Sequence, residues 1–148
     1  MELLKQAREA GTKVDLNALI DAIPYAKFIG MEVDQKGTEI TTVLRFDQKI
    51  IGNPVLPALH GGVIGSFLET TAILQLAYET GGEVLPKPID LTIDYLRSGK
   101  PQDTFARARI TKHGRRVANV HVEAWQDEHT KAIAAAHGHF LLKPPEET

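Results

Sequence analysis

The chain has 148 residues, 17 Lys+Arg against 19 Asp+Glu for a formal net charge of −2, with 43% hydrophobic and 24% charged residues. That is one ordinary globular domain with enough apolar material for a core, and it excludes collagen, coiled coil and general disorder. The absence of cysteine excludes disulfide scaffolds, thiolate metal sites and a cysteine nucleophile. No apolar run approaches the ~20 residues that span a bilayer, and Met1–Ala10 carries charge where a signal peptide needs an apolar stretch, so a cytoplasmic protein is the expectation.

In chain order, Glu2–Ala10 reads as a short amphipathic helix stopped by Gly11, and Asp15 as the N-cap of a helix over Leu16–Ile23 that Pro24 ends. Phe28–Gln35 reads as a strand, Lys36-Gly37 as a turn, and the alternation of Ile40, Thr42, Leu44 and Phe46 as a second strand. Gly52, Asn53, Pro54 and Pro57 make Ile50–Leu59 a loop, and one helix runs from Gly61 to Thr80 before the break at Gly81-Gly82 and Pro86. After Pro88 the period is two: Ile89, Leu91, Ile93 and Tyr95 share one face. Turns at Ser98–Pro101, His113-Gly114 and Asp127–Thr130 separate three further strands, the last over Lys131–Leu142. Connections this short make neighbouring strands antiparallel. The long helix is apolar on nearly its whole circumference, which predicts that it is enclosed. Small inward residues on the strands (Ala106, Ala108, Ala118, Ala134, Ala136) leave room for it. The expected fold is α+β: a buried helix wrapped by a curved antiparallel sheet of about five or six strands over residues 25–148, behind a helical lead over 1–24.

Glu69 is the outlier on that helix. Between His60 and Tyr78 no other side chain except His60 is acidic or basic, and the positions three and four residues away (Gly65, Ser66, Ala72, Ile73) offer no cation. The residues alone leave two readings: a catalytic carboxylate, or a structural one paired from another strand. Gly62, Gly65, Glu69 and Ala72 form a stripe of small residues around the acid that admits another backbone or a thin ligand. His60-Gly61-Gly62 opens the helix, where unpaired N–H groups and the positive end of the dipole could stabilise a developing oxyanion. From Arg97 to Arg116, seven basic residues stand against one acid, Asp103. Such a strip fits an anionic partner such as a phosphorylated cofactor, and equally the wet faces of surface strands. His121, His137 and His139 can share a sheet face, but no carboxylate or Cys accompanies them in sequence, so no metal site is expected.

Gly52-Asn53, then His60-Gly61-Gly62-Val63-Ile64-Gly65 and Glu69, followed by Ile89–Gly99 and Lys112–Val120, resemble the hot-dog-fold thioesterases of the PaaI-like (phenylacetyl-CoA thioesterase-like) group over about Tyr25–Leu142. The resemblance implies a hot-dog fold whose central helix is Gly61–Thr80, and hydrolysis of an aliphatic or aromatic acyl-CoA to free acid and CoA. It implies a Gly61 N–H that polarises the thioester carbonyl, and Glu69 as general base or nucleophile. Asn53 and His60 are then residues that place the carbonyl or the water, and Gly62, Arg97, Arg115 and Arg116 bind substrate, the arginines at the CoA phosphates. It further implies a homodimer or homotetramer (a dimer of dimers) with each site completed across the interface. No cofactor beyond the substrate's own CoA, no metal, no nucleic acid and no membrane belong to this reading. Some relatives hold the water with Ser or Thr where this chain has Pro88, which leaves Ser66, Thr70 or Thr71 for that task. Val55, Leu56, Leu59, Phe67 and Leu68 are the expected apolar lining. Two rivals stay open: a non-catalytic acyl-CoA-binding hot-dog protein, and a hot-dog dehydratase or hydratase, whose His three residues before the Gly is here Lys49.

Overall fold

The computed structural model describes residues 2–10, 14–36, 39–81 and 84–142. Three helices lead in, α1 (Glu2–Glu9), α2 (Leu16–Asp21) and α3 (Pro24–Ile29), followed by strands β1 (Met31–Lys36) and β2 (Glu39–Leu44). A single 3-10 turn (Gln48–Ile50) and a short hairpin, β3 (Ile51–Asn53) and β4 (Ala58–Leu59), precede the long helix α4 (Gly61–Thr80). Then come β5 (Lys87–Tyr95), β6 (Thr104–His113), β7 (Val117–Trp125) and β8 (Ala134–Leu141). The large sheet has six strands in the order β1-β2-β6-β7-β8-β5, antiparallel throughout, so β5 is an edge. No helix among the described residues is long and apolar enough to cross a membrane.

The core is the contact between α4 and the inner face of the sheet. Phe67, Leu68, Leu74 and Leu76 are fully buried against a sheet face carrying Ala106, Ala118, Ala124, Ala134 and Ala136. Alanines at these positions keep the strands smooth and let the helix axis lie close, so that large side chains come from one layer and small ones from the other. Leu16, Leu19 and Ile20 of α2 join the same core, which places the lead against the domain rather than beside it.

Several local expectations are corrected. Pro24 does not merely end a helix: it occupies the first turn of α3, where its missing N–H costs nothing. Ala26 and Ile29 are buried three residues apart while Tyr25 and Phe28 are exposed, so a helical period holds until Gly30 and the strand begins only at Met31. Ile50–Leu59 is a turn and a hairpin rather than loop throughout. The last strand starts at Ala134, not Lys131. Of Ile89, Leu91, Ile93 and Tyr95, the last three share one face and Ile89 does not. Pro88 pairs with Phe140 and Asp90 with His139, so Ile89 is the extra residue of a bulge and is exposed, while Leu91 and Ile93 pack on the core and Tyr95 follows them on the same face. Gly138 permits this, since a Cβ there would collide with the Asp90 carbonyl oxygen. Nor is α4 covered all round: Gly62 is exposed and Ser66, Glu69 and Ile73 are half-buried, one open stripe along the helix. The expected stop at Gly11, the turn at Gly37 and the break at Gly82 lie outside the described residues.

Asp103 fastens the far side of the sheet. Its carboxylate accepts the Phe46 N–H at 2.7 Å and the Arg45 guanidinium at 3.0 Å, and Arg45 also reaches Glu32 at 2.9 Å. The Phe46 N–H first, and the Arg45 guanidinium with it, hold the Asp103 carboxyl below the ordinary aspartate value. A depressed folded-state value means stabilisation that is complete at neutral pH and disappears as pH falls through that value. Asp103→Asn should therefore lower stability at pH 7 by about 1 kcal/mol and flatten its loss below about pH 4, measured by urea denaturation across that range.

Candidate active site

The first turn of α4 has donors to spare, because no helix can satisfy its own leading N–H groups. His60 is the N-cap, with extended backbone (φ −64°, ψ 127°). Its carbonyl accepts from Val63 and Ile64, its own N–H donates to the Ile50 carbonyl at 2.8 Å, and its Nδ1 accepts the Gly62 N–H at 2.9 Å. That leaves the Gly61 N–H without a partner among the described residues. An imidazole that accepts at Nδ1 carries the proton of its neutral form on Nε2, so the His60 Nε2–H is a second donor at the exposed end of the helix. Two glycines make this possible: a Cβ on Gly52 would stand 2.6 Å from the His60 Cα, and one on Gly62 would stand 2.9 Å from the His60 ring.

Tyr95, at the end of β5, donates its hydroxyl to the Gly61 carbonyl at 2.8 Å. Gly61, Ile64, Leu59, Tyr95 and Arg97 line a cleft of about 370 Å³ beside it. The strand end is tied to the helix start because the Leu59 N–H donates to the Gly99 carbonyl at 2.9 Å. Arg97 in turn donates to the Ala132 carbonyl at 2.6 Å and borders a neighbouring cleft with Lys100 and Lys131.

The remaining residues singled out from sequence lie elsewhere. Glu69 sits on the open stripe of α4 with Ser66, half-buried and without a cation or hydrogen-bond partner among the described residues; eight residues along the helix is about 12 Å from Gly61. Asn53 uses its side-chain oxygen to accept the Val55 and Leu56 N–H groups, which fixes the tip of the β3–β4 hairpin and leaves its amide nitrogen free of that duty. Arg115 and Arg116 are exposed in the β6–β7 turn. Val117 and Lys87 both lie opposite Leu141 whereas Tyr95 lies opposite Ala134, so these arginines and Arg97 occupy opposite ends of the sheet, about 25 Å apart. Phe67 and Leu68 are fully buried in the core; of the expected lining, Val55, at 89% exposure, and Leu56 face outward. Thr71 is buried, bonded to the Phe67 carbonyl and 2.7 Å from the Thr42 hydroxyl, and Thr70 is buried as well, whereas Ser66 lies on the stripe and donates to the Gly62 carbonyl.

On the outer face His121 lies opposite His137 and against Glu123, and His139 lies against Asp90. The His139 hydrogen bond holds the Asp90 carboxyl below its ordinary value. Among the described residues no three such groups converge as metal ligands. Tyr95 is the site residue that sequence reasoning missed. The alternation of β5 points it inward with Leu91 and Ile93, and no local signal announces that at the end of the strand this face meets the start of α4 rather than the core.

A family model for the thioesterase superfamily matches residues 56–133, from the hairpin tip through α4 to the start of the last strand. The medium/long-chain acyl-CoA thioesterase YigI of Escherichia coli (strain K12) is 30% identical over 134 residues, covering 81% of this chain and 86% of that protein. A crystal structure from Chromobacterium violaceum is 38% identical with a TM-score of 0.76, covering 99% of this chain and 100% of that one. A Bacillus halodurans protein crystallised with CoA, 18% identical and covering 82% of this chain and 80% of its own, shares the fold with a TM-score of 0.74.

The capping role of His60 is separable from its Nε2–H. His60→Ala should cost about 1 kcal/mol of stability as the N-cap is lost, while His60→Ser restores a side-chain acceptor and most of that stability without restoring the second donor; urea denaturation of the two variants measures the difference.

Proposed function

We infer the reaction from one premise: this chain belongs to the thioesterase superfamily. It is a thioester hydrolase, and its substrate is an acyl-CoA, which water splits into the free acid and CoA. The observation that carries the residue assignment is the unpaired Gly61 N–H beside the outward Nε2–H of His60 at the start of α4. A thioester oxygen placed between them gains negative charge as the carbonyl carbon is attacked, and both donors and the helix dipole act most strongly on that charge. Gly62, without a side chain, leaves the approach open.

Glu69 supplies the base, or attacks directly to form an anhydride; both routes need the ionised carboxylate. Ser66 gives its own proton to the Gly62 carbonyl, so its free lone pair accepts a hydrogen from water whose other hydrogen points to Glu69 one turn on. This role replaces the one that Pro88 cannot fill.

Glu69 stands too far along its own helix to meet a carbonyl held at Gly61, so a second copy of the chain completes the site. Edge strand β5 supports this, with one side unpaired and Ile89, Tyr95 and Leu96 exposed at 57%, 55% and 54%. Antiparallel pairing of two β5 edges sets the two α4 helices side by side in opposite directions, Glu69 of one toward Gly61 of the other. The assembly is a homodimer, or a homotetramer built from two such dimers. The same pairing brings the Arg97 end of one chain to the Arg115 and Arg116 end of the other, a basic frame for the CoA phosphates. Asn53 contributes its amide nitrogen at the mouth. Similarity to YigI favours a medium or long acyl chain, met by the exposed Val55 and Leu56. The reaction needs no further cofactor and no metal, and a cytoplasmic location suits it.

The test is thiol release from a panel of acyl-CoA esters of increasing chain length, with aromatic members. Glu69→Gln should lower kcat roughly 10²–10⁴-fold with KM largely kept. Gly61→Pro removes the free N–H at a position where Pro is accepted and should lower kcat roughly 10²–10³-fold. Equal mixing of the two inactive variants should restore about a quarter of wild-type activity, since half the dimers are mixed and each carries one intact site. Sites contained in single chains would restore nothing; Glu69→Gln at wild-type speed would make the carboxylate structural, and thiol release from no ester by the wild type would make this an acyl-CoA-binding protein instead. Replacing Arg115 and Arg116 together by Ala should raise KM more than it lowers kcat, an effect that shrinks in high salt.

A further inference from the structure

One polar group at the mouth has no part in the reaction above: the Tyr95 hydroxyl. It donates to the Gly61 carbonyl at 2.8 Å, and the N–H of that same peptide group, on Gly62, donates to His60 Nδ1 at 2.9 Å. The contact is not a grazing one. The phenol ring lies 3.4–3.5 Å from where a Gly61 Cβ would stand, and the strand end behind it is held by the Leu96 and Arg97 N–H groups on the Ile133 carbonyl at 2.8 and 3.0 Å. A helix carbonyl has two lone pairs, and one is enough for the bond of the helix itself. The other takes Tyr95.

We propose that Tyr95 is a positioning residue that fixes the tautomer and orientation of His60 through the Gly61–Gly62 peptide; this rests on the reading of His60 as a donor to the thioester oxygen. A hydrogen bond accepted at a peptide oxygen polarises the group and makes its N–H a stronger donor. The stronger Gly62 N–H keeps the proton off Nδ1, and the neutral imidazole holds it on Nε2, facing outward. In the other tautomer Nδ1–H would oppose Gly62 N–H, donor against donor, and Nε2 would offer a lone pair to an oxygen that needs a proton. Tyr95 therefore acts on the carbonyl without touching it, and its place at the end of β5 links the edge strand to the geometry of the helix start.

The experiment uses the intact protein with nitrogen-labelled histidine. Its six histidines give imidazole resonances from which His60 is identified by its loss in His60→Ser. Wild type should show His60, when neutral, almost wholly as the Nε2–H tautomer. Tyr95→Phe keeps the ring beside Gly61 and deletes only the hydroxyl. It should raise the Nδ1–H fraction several-fold and lower kcat about three- to tenfold, the scale of one hydrogen bond, with KM within about twofold. Replacing Tyr95 alone by 3-fluorotyrosine, whose phenol is a stronger donor, should move the His60 nitrogen shifts the opposite way. Unchanged His60 shifts in both proteins would overturn the proposal, whatever the turnover. A tautomer shift with turnover unaltered would uphold the link and count instead against His60 in the reaction.

Discussion

A helix of twenty residues with twelve buried positions, α4, can exist in water only if something covers it, and the rest of the molecule is arranged by that need. Each Leu, Ile or Phe taken fully from water is worth about 1.5–3 kcal/mol, so covering α4 is the largest favourable term available to a chain of this size. The sheet meets it with a smooth inner face of alanines and curves around the helix. The connections β6–β7 and β7–β8 stay short because neighbouring strands must serve the same surface. The lead adds Leu16, Leu19, Ala26 and Ile29 where the sheet does not reach.

One chain leaves part of that surface open. The six-stranded sheet ends at β5, where Ile93 and Tyr95 meet the helix at Gly65, and Gly62, Ser66, Glu69 and Ile73 leave a stripe of that helix open. The uncovered strip of helix and the unpaired edge of sheet are adjacent, and the only charged residue of the helix interior lies in that strip. In the proposed dimer, chemistry and assembly share this surface, and a carboxylate that would be costly at the centre of the core is carried where it can be used.

The other half of the proposed site comes from backbone more than from side chains. The helix start leaves one N–H over after His60 has taken its share, and the close approach of β3 at Gly52 and of the next peptide at Gly62 clamps the imidazole so that only Nε2 is offered outward. Tyr95 arrives from the sheet to the same peptide. Donors fixed in this way need no rearrangement when charge develops on a bound oxygen, which is why such positions are effective in hydrolytic sites.

Much of this was legible in the chain itself. The bounds of α4, the alternation of the central strands, the capping triplet His60-Gly61-Gly62 and the isolation of Glu69 are local patterns, written in the spacing of neighbouring residues, and local patterns survive folding where the period is strong. What tertiary structure decided are matters of register and distance. The bulge at Ile89, which takes that residue out of the inward row, is permitted because Gly138, forty-nine positions away, has no Cβ to strike the Asp90 carbonyl; Tyr95 keeps the inward row and meets the helix start because the strand end lies beside Gly61. Arg97 and Arg115–Arg116 read as one basic strip in sequence and lie at opposite ends of the sheet, because an antiparallel strand carries its two ends apart. Phe67 and Leu68 are apolar helix residues like Ile73, and only the position of the sheet determines that they are core while Ile73 is not. The sequence states which residues are chemically able to act; which of them meet depends on contacts between residues far apart in the chain, and those form only when the helix is covered.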